Sequence, residues 1–393
     1  MKLNGSFRAA LLIALVSFQV NAQAQIPLDI AQRSAEYKQS IALQLSTHYH
    51  EIESSLLSQI NETKLAAPLS TLITRNKSEI FSTNIEKVEH DYLLLKGING
   101  HGKDILEVRL ADPNMIKSWK NGKKPFFAFE PAGDDANWTA IEAYDVDGQI
   151  HTFDVYEMPN VPVFVVDANN QYELRAGLKT MQEEMNKLGQ KSVLLLPDSQ
   201  KSLDIASINR SALKNPQEKT LSTTQLTKIR LNYDNEPWIT GKAEVYAIIT
   251  GIDASRATPQ IDLVEMPYLD YDGQDYYPEQ TMIIWPRYRW GAVDLILMEQ
   301  DDGTDYKALA KLIVEAADEI LKMIPNPEVQ GYTVITQITS KIIDIIPDGA
   351  LTNDDDHIDT FYTIMQNTSY IDRPGASGNA IATFKPIVIS PTK

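Results

Sequence analysis

Along the first part of the chain, apolar positions recur at helical spacing. Ile41, Leu45, Ile52 and Leu56 or Leu57 share a face, with Ser, Thr, Gln and Glu between them, which predicts helices from about Leu28 to Glu89. Pro27 precedes the first helix and Pro68 marks a break. The polar content of this segment predicts a lead-in that packs beside a core rather than forming one. From Tyr92 the period changes. ILEVRLA, KPFFAFEP, WTAIEAYD, QIHTFDVY and VPVFVVD are short β-rich runs separated by Gly, Asn, Asp and Pro. Asp147–Gly148, between two of them, is a hairpin-turn signal. A further helix is predicted over Leu174, Leu178, Met181, Met185 and Leu188.

Residues 199–227 carry Ser, Lys, Asn, Gln and Thr without a clear period and read as a linker. Beyond them KIRLNY, AEVYAIITGI, IDLVEM, TMIIW, AVDLILME, DTFYTI and AIATFKPIVI read as strands. They are interrupted once, at residues 306–347, by two helical segments. Leu309, Leu312, Ile313, Ala316, Ile320 and Ile324 form one apolar face, and Ile335, Ile338, Ile342 and Ile345 the other. The expected fold class is therefore α+β. A helical segment and a small β domain occupy 25–198, and an antiparallel β-sandwich with a two-helix insertion occupies 228–393.

The first 24 residues add a compartment. Lys2 and Arg8 precede the apolar run from Ala9 to Phe18, and Ala22 and Ala24 form a cleavage site before Gln25, so the segment reads as a secretory signal. The run is about half the ~20 residues a membrane span needs, so no span is expected in the mature chain. The expected location is secreted or periplasmic. The chain carries a formal charge of −17, and removing the signal leaves −19, because two basic residues and no acidic one depart. A chain this acidic repels nucleic acid and bare anionic membrane and suits divalent cations or basic partners. With no cysteine, neither a disulfide nor a thiol nucleophile is available.

The acids are clustered. YLDYDGQDYYP carries Asp270, Asp272 and Asp275; LMEQDDGTDYK carries Glu299, Asp301, Asp302 and Asp305; and LTNDDDHIDT carries Asp354, Asp355, Asp356 and Asp359. All three stretches border strands of the second domain. The strands of a sandwich end in loops grouped at two poles, so distant loops can meet. Calcium takes six to eight oxygens, commonly carboxylates from several loops. These eleven residues are therefore the candidate metal ligands, and calcium the expected cofactor. Single acidic loops are ordinary turn chemistry, so the expectation rests on all three together.

Other constellations carry less. His48 and His50 are two apart and point to different faces of a helix, and no H-E-x-x-H occurs. GASGN at Gly375–Asn379 follows Arg373–Pro374 and reads as a loop rather than a nucleophile elbow. WPRYRW at Trp285–Trp290 interleaves aromatics and arginines, which suits stacking on a sugar or a partner, or packing within an edge strand.

Two resemblances follow from these motifs. VDLILMEQDDGTD followed by NDDDHIDTFYTI resembles the course of C2 domains. Glu299 and Asp301 stand at the first two acidic positions and Asp355 or Asp356 at the third, although the first acid is Glu and no Gly follows Ile358. The resemblance implies a C2-like sandwich with calcium between its loops. Over a longer range, NEPWITGKAEVYAIITG, VEMPYLDYDGQDYYPEQTMIIW, LMEQDDGTDYKALAKLIVEAA and TNDDDHIDTFYTI resemble a family of secreted bacterial proteins known as a domain of unknown function. That implies export and boundaries but no activity. The expectation is a calcium-binding protein, with no reaction assigned, that engages an unidentified protein, a glycan or an envelope surface. The alternatives are an exported hydrolase using clustered acids and a structural envelope protein without metal.

Overall fold

Strand β9 (Val245–Ile252) is buried along its whole length. A strand is covered on both faces only when other layers lie above and below its sheet, and β9 sits in the middle of three such layers. The structure is a computed structural model. It describes residues 26–73, 79–101, 104–133, 135–197, 220–232, 237–241, 244–254, 258–300, 303–324, 331–346 and 357–390. The signal segment and most of the linker lie outside these residues. The described residues form a mixed α+β fold with eight α-helices and three sheets, and the second half is mostly β.

The first half opens with α1 (Ile26–Thr47), α2 (Tyr49–Gln59), β1 (Ala66–Pro68), α3 (Leu69–Ile73) and α4 (Glu79–Leu95). Next come β2 (Leu106–Leu110), α5 (Met115–Lys120), β3 (Phe126–Phe129), β4 (Ile141–Tyr144), β5 (Ile150–Phe153), β6 (Val163–Ala168) and α6 (Asn170–Lys187). The strands form one sheet in the order β1-β2-β6-β3-β4-β5, with β3 and β6 parallel. The expected hairpin joins β4 to β5. Asp145 accepts the N–H groups of Asp147 and Gln149, and Gly148 takes φ 78°, a conformation that disfavours a Cβ.

The lead-in expectation is corrected here. Ile41, Ala42 and Leu45 of α1 belong to the main core, together with Phe127 and Val165 of the sheet. Gln32, Arg33, Ser40 and Thr47 occupy the outer face, while Ser34, Lys38 and Ser46 are buried with the apolar set. Asn169 caps α6 by accepting the N–H of Tyr172 at 3.2 Å.

The second half contains β7 (Leu194–Leu195), β8 (Leu221–Leu231), β9, β10 (Pro259–Glu265), β11 (Gln280–Ile284) and β12 (Ala292–Glu299). It continues with α7 (Tyr306–Met323), α8 (Thr333–Ile345), β13 (His357–Met365), β14 (Tyr370–Pro374) and β15 (Ala380–Ile389). A middle sheet runs β13-β12-β9-β10-β7, and an outer sheet β11-β8-β15-β14. β8 starts at Leu221, inside the stretch read as linker.

Period-two alternation divides the middle sheet between two cores. Val245, Ala247 and Ile249 of β9 and Val293, Leu295 and Leu297 of β12 face the outer sheet, meeting Leu226, Ile229, Ala382 and Phe384. Tyr246, Ile248, Ala292, Ile296 and Met298 point the other way, into the core that holds Ile313 of α7 and Ile338 of α8. The two inserted helices thus cover a sheet, as their apolar faces require. That core continues without a break through α6 to the first sheet, so the two halves share it. Among the described residues, no helix is long and apolar enough to cross a membrane.

Candidate functional site

Strand register places the Asp270–Asp275 loop, the end of β12 and the start of β13 at one end of the stacked sheets. In the outer sheet, Leu231 ends β8 opposite Ala380, where β15 starts. The Leu231 carbonyl accepts the N–H of Gly273 at 2.8 Å, which brings the Asp270–Asp275 loop to that end. In the middle sheet, Glu299 pairs with Val245 and Leu297 with Asp359, so the end of β12 and the start of β13 lie together. Asp359 joins the two sheets. Its carboxylate accepts N–H groups from Ser377 at 2.9 Å and Ala380 at 2.8 Å, and from Thr360 at 2.7 Å.

At this end the candidate ligands divide by role. Asp359 is fully buried, and its oxygens are occupied by those three donors. Asp305 caps α7, accepting the N–H groups of Lys307 at 2.9 Å and Ala308 at 3.2 Å. Asp275 pairs with Lys228 at 3.2 Å, and Asp372 flanks the same ammonium at 3.2 Å. These two carboxylates, Asp372 foremost, raise the Lys228 pKa. Asp270, Asp272 and Glu299 are half-buried in the loops and at the strand end. Asp301, Asp302, Asp354, Asp355 and Asp356 lie outside the described residues. Among the described residues, no three His, Asp or Glu side chains stand close enough together to hold a metal ion.

WPRYRW is an interior feature rather than an exposed stacking strip. Trp285, Arg287 and Tyr288 are buried. Arg287 clasps Asp262 of β10 with Nε to Oδ2 at 2.7 Å and Nη2 to Oδ1 at 2.7 Å. The Tyr288 hydroxyl donates to Asp262 Oδ2 at 2.6 Å. Burial, with the Asp262 carboxylate beside it, pushes the Tyr288 phenol well above its ordinary pKa. The Gly375–Asn379 loop is the one that wraps Asp359.

Two buried ionic networks in the first half went unread in the sequence. Lys38 is fully buried on α1, and its Nζ donates to Glu130 and, at 3.0 Å, to Asp167 at the end of β6. Asp167 also holds Arg109 Nε at 3.1 Å, and Arg109 reaches the Ile239 carbonyl in the second half. Beside them burial raises the pKa of Glu107, against the opposing hydrogen bond from Asn169. The second network is Lys96 with Glu173 at 2.9 Å, both fully buried, and Tyr92 donating to Glu173 at 2.8 Å. A signal for the first was present. Lys38 falls on the stripe Ala31, Ala35, Lys38, Ile41, Ala42, Leu45, where a charge must find a partner.

A cleft of about 370 Å³ lies between α1 and the β4–β5 hairpin. Gln32, Glu36 and Gln39 of α1 form one wall and Glu142 and Thr152, a cross-strand pair of β4 and β5, form the other. Phe129 and Pro131 line it on either side of Glu130.

No curated protein and no solved structure matches this chain. Its sequence does match a family over residues 38–392, nearly the whole of both halves, including the shared core and the acidic end. The chain belongs to the family described as "Protein of unknown function (DUF3103)".

Proposed function

We propose that this is an exported protein whose C2-like sandwich binds calcium at its acidic end, where the cation braces the loops for contact with a partner surface. The observation that carries the reading is the register. Leu231 with Gly273, Glu299 with Val245, and Leu297 with Asp359 put the Asp270–Asp275 loop, the end of β12 and the start of β13 at the same end of the sheets, which supports the meeting of the three acidic stretches there. Carboxylates gathered there repel by about 1 kcal/mol per pair at 4 Å in water, and several times that at a protein surface. A bound dication reverses that sign. The ligand set is Asp270, Asp272, Glu299, Asp301, Asp302, Asp355 and Asp356, with Asp275, Asp305, Asp354 and Asp359 at its margin. Asp359 and Asp305 serve it by fixing the loop and helix that frame it.

Calcium titration calorimetry on the mature chain, paired with thermal melts with and without chelator, tests the proposal. At ten times Kd, binding to the folded state alone adds about 1.4 kcal/mol, which raises Tm. Absence of both binding heat and a Tm shift at millimolar calcium would overturn it. The export part is tested by the mass of the processed chain, which should begin at Gln25.

A further inference from the structure

We propose that the cleft between α1 and the β4–β5 hairpin binds a small organic cation, an alkyl ammonium or diamine. Its volume of about 370 Å³ falls in the range of small-molecule sites. Its lining contains two carboxylates, Glu36 and Glu142, and no Lys, Arg or His. A cavity of that composition repels anions and attracts a positive charge. Gln39 and Thr152 add oxygens that can accept from an ammonium group. Between the polar walls, Ala35, Phe129 and Ala140 offer apolar surface that suits an alkyl body rather than a hydrated metal. Calcium is a poor occupant, because two carboxylates fall short of its six to eight oxygens. The described residues also place no third acid with them.

The segments that carry the walls are tied to each other. Lys38 lies on α1 between Ala35 and Gln39, while Glu130 lies between Phe129 and Pro131, and the two are joined by an ion pair. Asp167 also accepts from Lys38 at 3.0 Å, and Arg109 balances its charge. A buried ion pair adds little net stability, since desolvation offsets its attraction. What it does supply here is position: it ties α1 to the chain after β3, the two segments whose neighbouring residues line the opening. The cleft is distinct from the acidic end, so the two proposals stand or fall separately.

The test is calorimetry on the full mature chain with butane-1,4-diamine, and with butane-1,4-diol and calcium chloride as comparison arms. The diamine should bind and the diol should not. Glu36→Gln and Glu142→Gln, both at exposed positions, should each weaken diamine affinity by about tenfold while leaving the melt unchanged. Raising salt should weaken it as well. No diamine heat up to 10-millimolar order (about 10 mM) would overturn the assignment. So would equal binding of the diol, or an affinity unaltered in both variants. A calcium signal lost in Glu142→Gln would also overturn it, in favour of a metal site.

Discussion

A Cβ built on Gly375 would stand 2.2 Å from the carboxylate of Asp359. The loop after β14 can therefore close over that side chain only with glycine at this point. The contact lets Ser377 and Ala380 turn their N–H groups onto Asp359 and joins the outer sheet to the middle one. Gly375→Ala should force the loop away, and Asp359→Ala should strand three backbone donors, one of them from Thr360. Each is expected to destabilise by about 3 kcal/mol, read from urea unfolding. Asp359→Asn should cost less, since one oxygen remains.

Lys38 gives the sharpest contrast between buried and surface charge. Lys38→Met removes one member of a buried set and leaves Glu130 and Asp167 facing each other. The expected loss is about 3–5 kcal/mol. Lys187→Met, at the exposed i,i+3 pair with Glu184, should leave the denaturation midpoint unchanged.

Asp294, buried, and His357, half-buried, should give stability opposite pH slopes. Asp294 is buried on β12, and burial raises its pKa against the opposing N–H of Thr363. Because the folded state favours its protonated form, its contribution is full below the unfolded pKa of about 4 and declines as pH rises through the folded value. Asp294→Asn should therefore compare better with the parent at pH 7 than at pH 4. His357 is held below its ordinary pKa by burial, opposed by Asp359. Its neutral form is the folded one, so its contribution is present above about pH 6.5 and falls as pH drops toward the folded value. His357→Gln should flatten that acidic limb. Unfolding free energies measured from pH 4 to 8 check both signs.

The Arg287 fork on Asp262 requires two parallel N–H groups. Arg287→Lys should cost about 2 kcal/mol although the charge is kept, because an ammonium lacks the planar fork that pairs side-on with both oxygens. Tyr288→Phe removes the hydroxyl that donates to the same carboxylate and should cost about 1 kcal/mol. A double-mutant cycle should show coupling, since both act on one acceptor.

Much of the architecture was legible in local pattern. The faces of α7 and α8 follow from Leu309, Ile313, Ile335 and Ile338 recurring every three or four residues. The hairpin follows from Asp147–Gly148. Short elements escaped for a physical reason. β7 is two residues long and exists because it lies parallel beside Leu263 and Val264, so no period could announce it. β8 begins among Thr and Gln that read as linker, and its strand state is fixed by β15 alongside.

The sequence by itself determined which positions turn inward, where helices and strands alternate, and that negative charge accumulates in three connections. Those are properties of near neighbours, set by side-chain period and turn chemistry. Only the tertiary structure decided what each charge meets. Asp359 meets the amides of a loop that lies beyond β14, Asp262 meets an arginine from a strip whose sequence suited both stacking and packing, and Lys38 meets carboxylates contributed by β6 and by the chain after β3. A carboxylate carries the same chemistry in every context. Its role is set by the donors that folding brings to it, and those come from distant parts of the chain.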